Sequence, residues 1–386
     1  MQYKWRVLTN TTVATLMSSI DGNIVLISLP TIGRQLPDTS ATTLLWILLG
    51  YSLVTAVVLL NFGRLSDMFG RVRLYVLGFA VFTAGSFLCG FSQTGLELVG
   101  FRLVQALGAG FLFSNSAAII TDAFPPNERG RALGVNQVSI VVGAVSGLVL
   151  GGIITTTIGW RWIFFVNVPI GVIAVAITIS KIAESKDPRL RRIDWVGFIT
   201  FSVSLFCLVF ALVRGNDLGW GSAGIVGLLV GAAVLMVAFF VNERFTSDPM
   251  LDLGLFKIPA FVGISVVAFT LAASIFAMFL YLTLYIQDDL GYGPLAAGVR
   301  FLPLTLLAFI VAFFAGRLTV RVQSRLLLGV GMLAVTAGLL LMGTTHADST
   351  WTVLLPGFIV CGLGIGAVNP VLASGAISVV QPQRSG

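Results

Sequence analysis

The chain has 386 residues, 57% of them hydrophobic and only 10% charged, where a soluble domain carries about a quarter charged residues. With a mean hydropathy of +0.99, that composition excludes a water-soluble globular protein, and the length is read as membrane spans rather than two or three soluble domains. The net charge of +7 raises the question of nucleic acid, which the placement of the basic residues answers in the negative.

About 20 apolar residues are needed to cross roughly 30 Å of hydrocarbon. In chain order, such stretches lie near 7–29, 43–62, 74–93, 98–120, 134–156, 162–180, 195–213, 222–241, 261–285, 297–315, 326–344 and 352–372. Turn-rich breaks such as Pro37-Asp38-Thr39-Ser40, Pro125-Pro126-Asn127-Glu128 and Thr345-His346-Ala347-Asp348 separate them. In hydrocarbon every backbone N–H and C=O is paired within a helix or a closed barrel. These runs are too long and too uniformly apolar for barrel strands, so the expected fold class is an all-α membrane protein with 12 helices. The first run is too long for a signal-peptide core and lacks a small-residue cleavage site, so it reads as a retained signal-anchor.

Basic residues set the expected orientation. Of the 23 Lys and Arg, only Arg34, Arg102, Arg161, Arg214 and Arg300 fall outside the N-terminal tail, the even-numbered loops and the C-terminal tail, which leaves 18 on one side. Lys4, Arg6, Arg64, Arg71, Arg73, Arg129, Arg131, the run Lys186 to Arg192, Lys257, Arg317, Arg321 and Arg325 are among them. This positive-inside asymmetry places both termini in the cytoplasm and accounts for the basic balance without nucleic acid.

Two longer polar segments, 181–194 and 242–259, divide the chain. The division is a six-helix N-terminal bundle (1–180), a two-helix insert with its flanking loops (181–259) and a four-helix remainder (260–386). A weak repeat supports it: Gly63-Arg64-Leu65 after the second span matches Gly316-Arg317-Leu318 after the second span of the remainder. Cys89, Cys207 and Cys361 lie within apolar runs without metal-ligand spacing, and His346 stands alone in a loop, so no metal site and no cofactor are expected. There is no phosphate-binding Gly-x-x-x-x-Gly-Lys loop and no histidine partner for a serine or cysteine nucleophile, which argues against an ATP-driven pump and against an enzyme.

The loop after span two reads Gly63-Arg64-Leu65-Ser66-Asp67-Met68-Phe69-Gly70-Arg71-Val72-Arg73. Glycines at both ends allow a tight reversal, with Asp67 among three arginines where it can pair and cap; a plain solvated basic loop is the alternative. Its spacing resembles the Gly-x-x-x-Asp-x-x-Gly-Arg loop of the major facilitator superfamily. Arg102-Leu103-Val104-Gln105-Ala106 resembles that family's Arg-x-x-Gln-Gly element, with Ala106 in place of glycine. Gly143, Gly147, Gly151 and Gly152 resemble its antiporter motif, with Leu148 in place of proline, so the bend expected there is open. Asp21-Gly22-Asn23, Gly159-Trp160-Arg161-Trp162, Tyr285-Ile286-Gln287 and the two-helix insert resemble the 14-span drug:proton antiporter branch. Val320 stands where the second repeat copy would need aspartate, and after Gln381 to Gly386 that branch would continue for two more helices. The resemblance therefore implies a major facilitator fold with 12 of 14 helices, C-terminally truncated.

At about 1.5 Å rise per residue, Asp21 and Arg102 lie at nearly the same depth, and they meet if spans one and four are neighbours, as the family fold implies. An ionisable residue inside the membrane is a functional candidate by default; a structural polar contact for Asp21 and snorkelling to the outer headgroups for Arg102 stay open. Gln105 and Ser116 share a face with Arg102, with Asn115 beside it, forming a stripe suited to a cavity wall. Gly143, Gly147 and Gly151 form a small-residue face for close helix packing. Phe276 and Tyr281 are candidate substrate contacts or ordinary core or lipid-facing aromatics.

By resemblance, the expected function is proton-coupled efflux of amphipathic small molecules by alternating access in a cell membrane. Asp21 and Arg102 would couple protons, and the Asp67–Arg71 loop would act as a latch. The protein is expected to be monomeric in the lipid bilayer, with substrate and protons as its partners. A transport-inactive fragment or split-chain partner is the second expectation, and a proton-coupled importer the third.

Overall fold

The structure, a computed structural model, describes residues 2–37, 39–185, 194–246, 249–318, 322–346 and 349–379. The basic run 186–192, Asp38, Ala347, Asp348, Val320, Arg321 and the tail 381–386 lie outside the described residues, as does the side chain of Arg317. Among the described residues all regular structure is helical, and twelve helical stretches are long and apolar enough to cross a membrane. They coincide with the twelve stretches expected from sequence.

The helices are α1 (Tyr3–Gln35), α2 (Ala41–Phe69), α3 (Arg71–Phe91), α4 (Gly95–Ala123), α5 (Pro126–Thr157), α6 (Trp162–Phe165), α7 (Asn167–Lys181), α8 (Trp195–Leu218), α9 (Ala223–Phe245), α10 (Pro259–Leu284), α11 (Pro294–Arg300), α12 (Leu302–Leu318), α13 (Ser324–Met342) and α14 (Leu355–Val379). The short α6 and α11 each join the next helix to complete one span. A helix of 33 residues is about 50 Å long, well beyond the roughly 30 Å hydrocarbon core. The helices therefore run past their apolar stretches into polar ends, and side-chain caps close several of them. Ser40 accepts from Thr43 N at 3.1 Å, Thr94 from Glu97 N at 3.2 Å and Asp194 from Gly197 N at 2.8 Å.

The chain forms two compact units, each discontinuous in sequence: Met1–Ser18, Gly33–Asn136 and Phe164–Leu253 in the first, Ser19–Ile32, Gln137–Ile163 and Gly254–Gly386 in the second. In the first unit, α3 and α4 pack closely because glycines remove the side chains between them. A Cβ on Gly108 would lie 2.3 Å from Phe82 N, and one on Gly85 would lie 2.7 Å from the Gln105 backbone. Tyr75, Phe79 and Phe82 fill the seam. The α8–α9 pair of the predicted insert belongs to this unit and lies against α2, where Trp46 meets Phe206 and Phe210 and Thr42 donates to Asp217 at 2.6 Å. In the second unit α14 packs on α12 and α13 through Gly331, Gly338, Gly362 and Gly366.

Replacing Gly108 by alanine forces backbone apart and is expected to cost about 1–3 kcal/mol. Gly100, where an added Cβ meets nothing within 4 Å, should accept alanine at no cost or with a gain. Thermal unfolding of the two purified variants checks this: a Gly108→Ala protein as stable as Gly100→Ala contradicts the packing.

Candidate functional site

The Gly63–Arg73 segment departs from the loop expected there. Residues 63–69 continue α2, and an added Cβ on Gly63 meets nothing, so no reversal occurs at that end. The turn is made at Gly70 alone, whose φ of 114° suits glycine and whose N–H closes on Ser66 O at 2.9 Å. The helix persists because nothing between Gly63 and Phe69 interrupts its hydrogen bonding.

Asp67 and Arg71 straddle that turn, 2.8 Å apart, and Arg71 reaches Asp122 at the end of α4 at 2.6 Å. Of the three arginines expected around it, Asp67 pairs with Arg71 only; Arg64 donates to the Pro249 carbonyl, and Arg73 approaches Glu184 at 3.7 Å. The residues after α7 complete the cluster. Glu184 accepts from Val72 N and Arg73 N, both at 3.0 Å, and so caps the N-terminus of α3 with a negative charge. Ser185 donates to Asp122 at 2.8 Å and accepts from Arg71 N at 3.0 Å. Sequence reasoning did not find Asp122, Glu184 or Ser185: nothing in the spacing says which distant carboxylate returns to Arg71.

Arg102 is 1% exposed, so its side chain does not snorkel. Its Nε donates to Ile47 O at 3.3 Å, a terminal nitrogen donates to Gln105 Oε1 at 2.6 Å, and the guanidinium lies 4.0 Å from the Tyr51 ring centre. Gln105 in turn donates to Ser86 Oγ at 2.6 Å. Gln105, Asn115 and Ser116, the stripe expected as a cavity wall, are all buried. Gln105 ties α4 to α3, while Asn115 donates to Phe111 O at 2.8 Å and Ser116 to Leu112 O at 2.6 Å. A buried polar group takes the nearest acceptor, and on a helix that is the carbonyl one turn back.

Asp21 belongs to the second unit and is fully buried. It sits where α1 and α5 close on one another. Ser19 donates to Ile140 O at 2.6 Å, and Ser28 lies 2.7 Å from Thr155. Cβ atoms on Gly147 and Gly151 would each come 2.8 Å from a backbone oxygen, of Ile20 and Ile24 respectively. Gly143 is buried on the same helix. Gly152 turns elsewhere: a Cβ there would lie 2.7 Å from Leu295 Cα, and one on Gly298 would lie 2.6 Å from Leu148 O. The antiporter-motif glycines therefore pack two seams, α5 on α1 and α5 on α11. With leucine at 148, α5 runs unbroken from Pro126 to Thr157.

A π-helical turn, Tyr285–Asp289, closes α10 and carries Gln287, whose Nε2 donates to Ile27 O at 2.7 Å. Ile27 adjoins the Leu26 carbonyl, which Pro30 leaves without its helical donor. Phe276 and Tyr281 are 63% and 71% exposed on α10, whereas Phe279 packs on Phe301 at 5.3 Å. Among the described residues no group of three His, Cys, Asp or Glu is placed to hold a metal.

Multiple apolar helices packed on glycine seams, with charged side chains buried inside spans, define a multi-pass α-helical membrane protein. The profile of the Major Facilitator Superfamily matches residues 11–386, and the chain belongs to that family. It is 32% identical over 372 residues to Multidrug resistance protein 3 of Bacillus subtilis (strain 168), covering 96% of this chain and 72% of that one. It is 31% identical over 387 residues to the riboflavin transporter RibZ of Clostridioides difficile (strain 630), covering 100% and 83%. Among solved structures, a POT family transporter in complex with 5-aminolevulinic acid superposes with a TM-score of 0.71 at 13% identity, over 98% of this chain and 84% of that one.

Glu184→Ala leaves the Val72 and Arg73 N–H groups without their cap and is expected to cost about 1 kcal/mol. Faster amide hydrogen exchange confined to the first turn of α3 is the expected readout; unchanged exchange there contradicts the cap.

Proposed function

We propose that the chain is a proton-coupled exporter of amphipathic small molecules that works by alternating access in a cell membrane, with both termini cytoplasmic. The observation that carries this reading is the complete burial of Arg102, a permanently charged group, inside a span. Insertion of such a charge costs about 2.5–3.5 kcal/mol at mid-helix, so its retention points to a transport role. Asp21, equally buried in α1, is the complementary acid able to take up and release a proton. Proton entry there changes the charge inside the membrane and biases the equilibrium between the two access states. The Asp67–Arg71–Asp122 cluster, closed by Glu184 and Ser185, serves as the latch of one state.

The positive-inside asymmetry supports the orientation. The relative named a multidrug resistance protein supports varied amphipathic cargo and outward transport. The α8–α9 pair supports membership of the 14-span drug:proton antiporter branch, with helices arranged as six, two and four across 1–180, 181–259 and 260–386. Protein monomers in the bilayer, without cofactor, suffice for this cycle. A second reading, carriage of one defined metabolite in either direction, draws on the riboflavin transporter relative.

Proteoliposomes with an imposed proton gradient test both readings, using a fluorescent amphipathic cation and riboflavin as alternative cargoes. Gradient-driven movement of the cation is expected. Arg102→Ala and Asp21→Asn, each checked for retained helicity, should lower it at least tenfold. Wild-type rates in either variant remove that residue from coupling, and movement of riboflavin alone favours the second reading.

A further inference from the structure

A groove of about 370 Å³ lies between the first turns of α1 and the length of α7, wholly within the first unit. Its walls are apolar: Val13 on α1, and Ile170, Ile173 and Ile177 on α7, the three isoleucines exposed. Its floor is built. Buried Asn10 donates to Ala174 O at 3.3 Å and accepts from Thr178 Oγ1 at 3.2 Å, which fixes α1 against α7 and uses up the polar groups beneath the groove. At one end stand two cations, Arg6 and Lys181, both exposed and neither in an ion pair among the described residues.

The level of that end is marked independently. Tyr3 and Trp5 are exposed beside it, as aromatic residues are at a membrane–water interface. Tyr3 also accepts from Ala183 N at 3.2 Å, which holds the end of α7 beside the start of α1. From Lys181 to Ile170 the groove runs about 16 Å along the helix, close to half of a roughly 30 Å hydrocarbon core. A cationic head over an apolar channel one leaflet deep repels a cationic amphiphile and complements an anionic one that already lies in that leaflet.

We infer that this groove binds one anionic glycerophospholipid, its phosphate between Arg6 and Lys181 and one acyl chain along Val13, Ile170, Ile173 and Ile177. Basic pockets between transmembrane helices suit such headgroups. The site is separate from the buried charges and from the latch, and it stands whether or not the proton-coupled reading holds.

The test is lipid retention by the purified chain, measured by native mass spectrometry after exchange into mixed micelles of phosphatidylglycerol and phosphatidylcholine. One retained phosphatidylglycerol per chain is expected. Each basic side chain near a surface contributes about a fivefold gain, so Arg6→Gln with Lys181→Gln should weaken retention about 30-fold. Two further variants make the result specific. Ile173→Trp, which fills the groove and keeps both charges, should also displace the lipid; Lys257→Gln with Arg325→Gln, which removes two exposed charges elsewhere, should not. Equal retention by the Arg6/Lys181 variant, equal loss from the Lys257/Arg325 variant, or retention of phosphatidylcholine in place of phosphatidylglycerol overturns the inference.

Discussion

Hydrocarbon neither solvates polar groups nor drives one apolar helix against another, and the structure follows from those two facts. The first is met locally. Thr11, Asn115 and Ser116 return their donors to carbonyls of their own helix. Such residues are compatible with a span yet do little to hold spans together. The second is met by close approach: where glycine faces backbone, as at Gly108, Gly147 and Gly298, dispersion and polar contacts act at a range that side chains would otherwise prevent.

A smaller set of side chains reaches across from one helix to another. Asn10 binds α7, Gln105 binds α3 through Ser86, Asn136 donates to Thr15 at 3.0 Å, and Gln287 binds α1. Each adds direction to seams that packing alone leaves free to slide. Arg102 joins this set with a charge. Because its fork is divided between a carbonyl, an amide oxygen and an aromatic face, α2 and α4 are held together around a group that water cannot reach. The same arrangement makes the site sensitive: in low dielectric, a change of charge nearby acts far more strongly than it would in water.

Twelve spans were legible in the sequence because apolar length is a one-dimensional property. The glycine spacing on α5 was legible for the same reason, since positions 143, 147 and 151 share a helix face whatever surrounds them. Partners were not. Gln105 lies on the face expected from its spacing, but only the fold reveals that Ser86 stands opposite, so a packed tie reads in sequence like a cavity wall. The Gly63–Arg73 segment misleads in another way: its glycine and charges suggest a loop, yet a single glycine in a helix costs only about 1 kcal/mol relative to alanine, and α2 continues to Gly70. Asp122, Glu184 and Ser185 lie about 50 to 115 residues beyond Arg71, a separation that no local pattern encodes.

The two charged clusters differ in strength, and the difference suits different tasks. Asp67, Arg71 and Asp122 keep partial solvent exposure, and ion pairs in that setting contribute about 0–1 kcal/mol each. A latch of two such pairs is of the order of the 2.3 kcal/mol released when one charge crosses 100 mV. On the proposed cycle, a single proton movement is then enough to open it, whereas a fully buried pair would hold the protein in one state. Arg102 is the opposite case. Stripping its partners would leave an unsolvated cation, at a cost several times the energy of those exposed pairs, so on the proposed cycle that cluster stays intact while the latch opens and closes. On that proposal, release at the exposed cluster and retention at the buried one are set by water access, and the same Arg–acceptor chemistry serves both.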